Sequence, residues 1–234
     1  SLDSVMNYPL RSAVLSFMHG WSDAYGLRDF LISQQMNYPK PLYYSLMNLL
    51  GSHDVDRLRT ALAADRNLRE LSREDQLKYE FSEGALSRAL QQERLLTVLG
   101  GDVNALKMAM FLQFALPGVP SIYYGDEQGM CGVCDPFNRL PFKEGERELH
   151  DWYAQLANMR NSADAFSTGH AQFMAATGDV LLILRWISDG DDAFDDAAEN
   201  GAYLAVINRG AAEVHYRADC SAAGCGTVEG TAEP

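Results

Sequence analysis

Positive charge is scarce in this chain. Its 19 Lys and Arg face 32 Asp and Glu, giving a formal net charge of -13 and a pI near 4.7. A phosphate backbone or an anionic membrane surface is bound through basic patches, so neither is expected as the main partner. Long apolar runs are also missing. None approaches the about 18 residues that a membrane helix needs. The first residues, SLDSVMNYPL, lack the basic-then-apolar order of a secretory leader, and they open on Ser1 rather than Met. The chain is therefore expected to begin inside a longer protein.

Cysteine is sparse: Cys131, Cys134, Cys220 and Cys225 in 234 residues. Cys131 and Cys134 form a CxxC, but four residues separate the second pair. A four-Cys zinc site and two disulfides both remain open, and the wide second spacing favours plain thiols. The acidic stretch DGDDAFDDAAENG holds Asp189, Asp191, Asp192, Asp195 and Asp196. It lacks the central Gly and terminal Glu of a calcium loop, so a solvated loop is expected. Neither a metal nor a cofactor is expected.

What remains is an ordinary globular composition, 47% hydrophobic and 22% charged, enough to build a sizeable core. The order along the chain is strand, helix, strand, helix, strand. Residues 3–8 read as a short strand ended by Pro9. LRSAVLSFMHG follows at helical spacing and stops at Gly20. A second helix runs to Pro39 and Pro41. The apolar run from Tyr43 to Leu50 reads as a strand buried on both faces. Ser72 ahead of Asp75 reads as a capping-box variant, and Asp102 as the cap of the next helix. VNALKMAMFLQFALPG reads as a helix apolar on nearly every side, and VPSIYYGDE as a strand and its exit. A last helix carries Leu149, Trp152, Tyr153, Leu156 and Met159 on one face. From about residue 165 the texture turns to short β-rich segments. The expectation is α/β with a parallel sheet, then a small antiparallel β-domain. His53, Asp54, Asp126 and Glu127 fall just past the ends of strands, the edge where such folds bind ligands.

DSVMNYPLRSAVLSF, LMNLLGSHDVDR and LKMAMFLQFALPGVPSIYYGDEQGM together resemble the alpha-amylase family of glycoside hydrolases, most of all its neopullulanase, cyclomaltodextrinase and maltogenic amylase branch. The resemblance runs in order from residue 3 to about residue 141. It implies the last three strands of a (β/α)8 barrel with their helices over residues 1–163, and a C-terminal β-domain over 164–234. It also implies three catalytic carboxylates. The nucleophile and the acid/base would lie upstream of Ser1, and Asp54 would be the third, the transition-state stabiliser. His53, Tyr8 and Arg57 would bind substrate. Asp126, Glu127 and Arg139 would be structural or cleft-edge groups, with Arg57 and Arg139 pairing with the two carboxylates. An alpha-glucan oligosaccharide is the implied partner, a bacterial intracellular location is favoured, and open sheet edges favour homo-oligomers.

The chain departs from that pattern in three places. Val55-Asp56 replaces the usual Thr-Pro after the His-Asp, Leu140 replaces an Arg in DPFNRLP, and residues 65–94 form an insertion that reads as a lid or as surface helices. The chain alone is expected to be inactive. The alternative is a non-catalytic carbohydrate-binding or interaction module.

Overall fold

A computed structural model describes residues 4–64, 66–84, 103–145 and 147–234. The expected cap at Asp102, the first residue of the expected strand at Asp3, and residues 65 and 85–94 of the 65–94 insertion lie outside the described residues. The chain divides into two compact units: residues 1–48, 111–120 and 155–234, and residues 49–110 and 121–154. This division does not coincide with the boundary expected at 163/164.

In the first unit, α1 (Tyr8–His19) forms where its end signals dictate. The Asn7 side chain accepts from Leu10 N at 3.2 Å, and Pro9 sits in the first turn, where its missing N–H costs nothing. Gly20 closes the helix at φ +75, a left-handed conformation suited to glycine. α2 (Ala24–Asn37) starts on Asp23, whose carboxylate accepts from Gly26 N at 2.8 Å. The expected strand from Tyr43 to Leu50 is mostly absent. Its first part is α3 (Lys40–Ser45), with Pro41 in the opening turn, and only β1 (Met47–Leu49) is extended. The prolines that end α2 are also compatible with a new helix start, so the apolar run is split. The strand expected before Pro9 is reduced to a parallel bridge between Met6 and Met47. There Asn7 N donates to Met47 O and Met47 N to Val5 O, at 2.9 and 3.0 Å. β2 (Val119–Ser121) pairs with β1.

Buried amides stitch these short elements together. Asn7 Nδ2 donates to Asn48 Oδ1 at 3.1 Å, Gln34 Nε2 donates to Asn7 Oδ1 at 2.9 Å, and Asn48 Nδ2 reaches Pro117 O at 2.7 Å. Gly118 at φ +109 leaves room for that amide, since a Cβ there would lie 2.7 Å from Asn48 Nδ2. Three arginines donate to carbonyls at helix ends and in the segments beside them. Arg160 donates to Phe114 O and Leu116 O at 2.9 and 3.3 Å. Arg185 donates to Ala115 O, Gly169 O and His170 O at 2.9, 3.2 and 3.3 Å. Arg209 donates to Phe17 O and, at 2.8 Å, to Ser22 O. Burial pulls the Arg160 and Arg185 guanidiniums down to about 10, which leaves both charged at neutral pH.

The rest of this unit is antiparallel. β3 (His170–Ala175), β4 (Val180–Ile187) and β5 (Gly201–Asn208) form one sheet in that order, and β6 (Val214–Asp219) pairs with β7 (Thr227–Ala232). Val180, Leu182 and Leu184 of β4 pack with Ala218, Cys220 and Ala232 of the second pair. The acidic loop is partly organised: Asp192 accepts from Phe194 N and Asp196 N at 2.7 and 3.1 Å.

The second unit contains α4 (Leu58–Ala63) and α5 (Arg73–Gly84). Ser72 caps α5 reciprocally, accepting from Asp75 N at 3.1 Å and donating to the Asp75 carboxylate at 2.7 Å. The apolar helix α6 (Asn104–Ala115) and the amphipathic α7 (Arg147–Asn161) each contribute residues to both units. Ala105, Leu106, Ala109 and Met110 of α6 are buried, as are Leu149 and Tyr153 of α7. No helix among the described residues is long and apolar enough to cross a membrane. All four cysteines are free, and among the described residues no cluster of three His, Cys, Asp or Glu is placed to hold a metal ion.

Replacing Arg185 by Met removes the donor to three carbonyls. We expect a loss of about 2–4 kcal/mol by urea unfolding, against a change within about 0.5 kcal/mol for the exposed Arg147→Met. Equal effects would refute the capping role.

Candidate active site

β1 ends at Leu49, and the chain turns out through Gly51 and Ser52. Gly51 is required by a close approach: a Cβ there would lie 2.1 Å from Asp126 Oδ2. Ser52 is buried, and its hydroxyl accepts from Asp54 N at 3.1 Å. This turn presents His53 and Asp54 to solvent, both side chains 54% exposed, with His53 Nε2 at 3.3 Å from Asp54 Oδ1. Arg139 Nη2 stands 3.7 Å from the same oxygen. Arg139 Nε also donates to His53 O at 3.1 Å and faces Asp135 Oδ1 at 3.2 Å. These groups line a cleft of about 220 Å³ in the second unit.

Asn138 fixes the turn from below. It is buried, and its Nδ2 donates to His53 O at 3.0 Å and Val55 O at 2.9 Å. The backbone at Asp54 is thus tied on both sides, while its side chain is 54% exposed.

Arg57, expected to bind substrate, does not reach the cleft. Its side chain is 0% exposed. Its Nη1 donates to Tyr124 O at 2.5 Å and pairs with Asp126 Oδ1 at 3.4 Å. Its guanidinium lies over the Tyr123 and Tyr124 rings at 4.5 and 4.7 Å, a favourable cation–π geometry in a desolvated setting. Burial, and then a hydrogen bond with Tyr124, push the Tyr123 phenol up to about 12. The correction has a physical reason: a short run after the His-Asp brings residue 57 back under the turn, where Gly132 O accepts from its N–H at 2.9 Å.

Asp126 is the buried partner of Arg57. Glu127 closes its own turn, accepting from Gly125 N at 2.8 Å. Arg139, expected beside those two carboxylates, stands instead at Asp54 and Asp135. Tyr8 belongs to the first unit, where it opens α1 and its hydroxyl lies 3.7 Å from Met6 Sδ. Sequence reasoning missed Asn138, Arg69 and Arg73 at the cleft. The polar Asn138 inside DPFNRLP was the available signal for one of them.

Asn138→Ala leaves the Val55 carbonyl without its side-chain donor and the His53 carbonyl with Arg139 Nε alone. A loss of about 1–3 kcal/mol is expected, with faster amide exchange at Asp54 and Val55. Unchanged exchange at both would count against the clamp.

A family model described as the alpha amylase catalytic domain matches residues 72–175. An amylopullulanase of Thermoanaerobacter thermohydrosulfuricus is 35% identical over 229 residues, covering 91% of this chain and 14% of that protein. A cyclomaltodextrinase of Geobacillus thermopakistaniensis is 32% identical over 213 residues, covering 88% of this chain and 28% of that protein. The solved cyclic alpha-maltosyl-(1→6)-maltose hydrolase of Arthrobacter globiformis, in complex with the sugar of its name, superposes with a TM-score of 0.66 at 26% identity. It covers 99% of this chain and 44% of that one. The chain thus spans less than a third of either curated relative and under half of the solved structure.

Proposed function

The chain belongs to the alpha-amylase family of TIM-barrel glycosidases, and from that premise we propose that it is the C-terminal part of a retaining alpha-glucan hydrolase. Its substrates are of the starch, maltodextrin, pullulan or cyclodextrin class. Residues 1–163 would supply barrel strands six to eight and their helices, and residues 164–234 the β-domain. The observation that carries the reading is the His53–Asp54 pair, held out at the end of β1 by fixed backbone while its polar atoms face a cleft.

In a retaining glycosidase one carboxylate attacks the anomeric carbon and a second, about 5–5.5 Å away, delivers and later removes the proton. We assign neither role to this chain. Asp56 in the same cleft is buried, and Asp135 faces Arg139. Asp54 would instead accept hydrogen bonds from sugar hydroxyls and favour the distorted, oxocarbenium-like ring over the relaxed one, with His53 donating to a neighbouring hydroxyl. The nucleophile and the acid/base would come from polypeptide preceding Ser1. Val5, Met47 and Val119 are exposed at the short pairings of the first unit, surfaces suited to cover by further strands or a second copy.

Incubated with maltoheptaose, the isolated chain is expected to release no reducing ends, while the full-length polypeptide that carries it does. Asp54→Asn in that polypeptide is expected to lower kcat by about 10²–10³-fold or more. Robust turnover by the isolated chain, or full activity of the variant, would contradict the assignment.

A further inference from the structure

The first half of the 65–94 insertion is built into the wall of the Asp54 cleft. Leu68, Arg69, Arg73 and Gln76 line it together with His53, Asp54 and Arg139. The segment is fastened there. Leu68 packs with Val133 and Cys134, and Leu71, Leu77 and Tyr79 pack against that cluster. Glu80 Oε2 accepts from Val133 N at 2.6 Å, and Arg73 Nη2 donates to Asp135 O. Gln76 Nε2 donates to Leu68 O at 3.1 Å, holding the 3-10 turn Leu68–Glu70 against the start of α5. The loop it grips is the one whose Asn138 and Arg139 hold the His53–Asp54 turn. The wall and the carboxylate therefore share one frame.

Resting on the glucan-hydrolase reading, we propose that the segment from Arg66 to Glu80 is a specificity wall, with Arg69 as its principal substrate contact and Arg73 beside it. Two features set the ligand class. The cleft carries Arg69, Arg73 and Arg139 against Asp54, Asp56 and Asp135, so its charges balance and no anionic substituent is favoured. A guanidinium presents donors in a planar fork, which suits adjacent hydroxyls of a neutral sugar. Both Arg69 and Arg73 are exposed to solvent where they line the cleft. The volume, about 220 Å³, is below the roughly 300–1,000 Å³ of sites for drug-sized ligands. This is the share of the cleft that the residues of this chain enclose. The wall thus bounds one side of the space beside the ring held at Asp54, where a neighbouring sugar unit would meet Arg69, a contact that weighs more for a short substrate than for a long chain held at many rings.

The test uses the full-length polypeptide. Arg69→Ala is expected to raise KM for maltotriose about tenfold with kcat within about twofold, and to leave KM for amylose within about twofold. A melting temperature within about 2 °C of the parent would separate this effect from unfolding. An unchanged maltotriose KM, or a drop in kcat together with melting temperature, overturns the wall. Asp54→Asn in parallel keeps the two ideas apart: if its turnover is intact, the catalytic reading itself fails. If Asp54→Asn is inactive and Arg69→Ala behaves as the parent, only the wall fails.

Discussion

The second unit depends on one buried cation. Arg57 has no exposed surface, yet it touches two separate stretches of chain. Its N–H reaches Gly132 O, its Nη1 reaches Tyr124 O and Asp126, and its plane covers the rings of Tyr123 and Tyr124. Removing a guanidinium from such a place would strand a buried carboxylate, which is costly. The turn carrying His53 and Asp54 lies directly before this residue in sequence. Its position is therefore set by the same tie that joins residues 123–126 to residues 130–132.

The site chemistry follows from that constraint. A carboxylate that stabilises a developing positive charge must already be oriented when the charge appears. Here orientation comes from backbone groups: Ser52 Oγ on the Asp54 N–H, and Asn138 on the carbonyls that flank it. Asp54 Oδ1 has His53 and Arg139 alongside. Arginine does similar work in the first unit, where Arg160, Arg185 and Arg209 close helix ends that have few other donors. In an acidic chain these cations serve mainly as internal fasteners.

Local signals were legible in the sequence. Asn7, Pro9 and Gly20 bound α1 as their chemistry requires, and Ser72 caps α5 with Asp75. The His53–Asp54 turn at the end of a strand was legible too, because Gly-Ser after an apolar run leaves few alternatives. What failed depends on tertiary context. The apolar run from Tyr43 to Leu50 divides into α3 and β1 because Pro39 and Pro41 just before it permit a helix start. Arg57 reads as a substrate-binding cation or a partner of Asp126 and Glu127; it pairs with Asp126, and the return of the chain beneath the turn buries it away from the cleft. The division into units was not visible either, since residues 1–48 and 155–234 associate through buried contacts far apart in sequence, such as Arg209 at the end of α1.

The central claim is that Asp54 holds the sugar ring at which a glycosidic bond breaks. The most direct measurement is a crystal structure of the full-length polypeptide soaked with acarbose. The account predicts both Asp54 carboxylate oxygens within about 3.2 Å of hydroxyls on one ring, with that ring distorted from its relaxed chair. An occupied cleft in which Asp54 faces only Arg139 and solvent, with the distorted ring bound elsewhere, would contradict it.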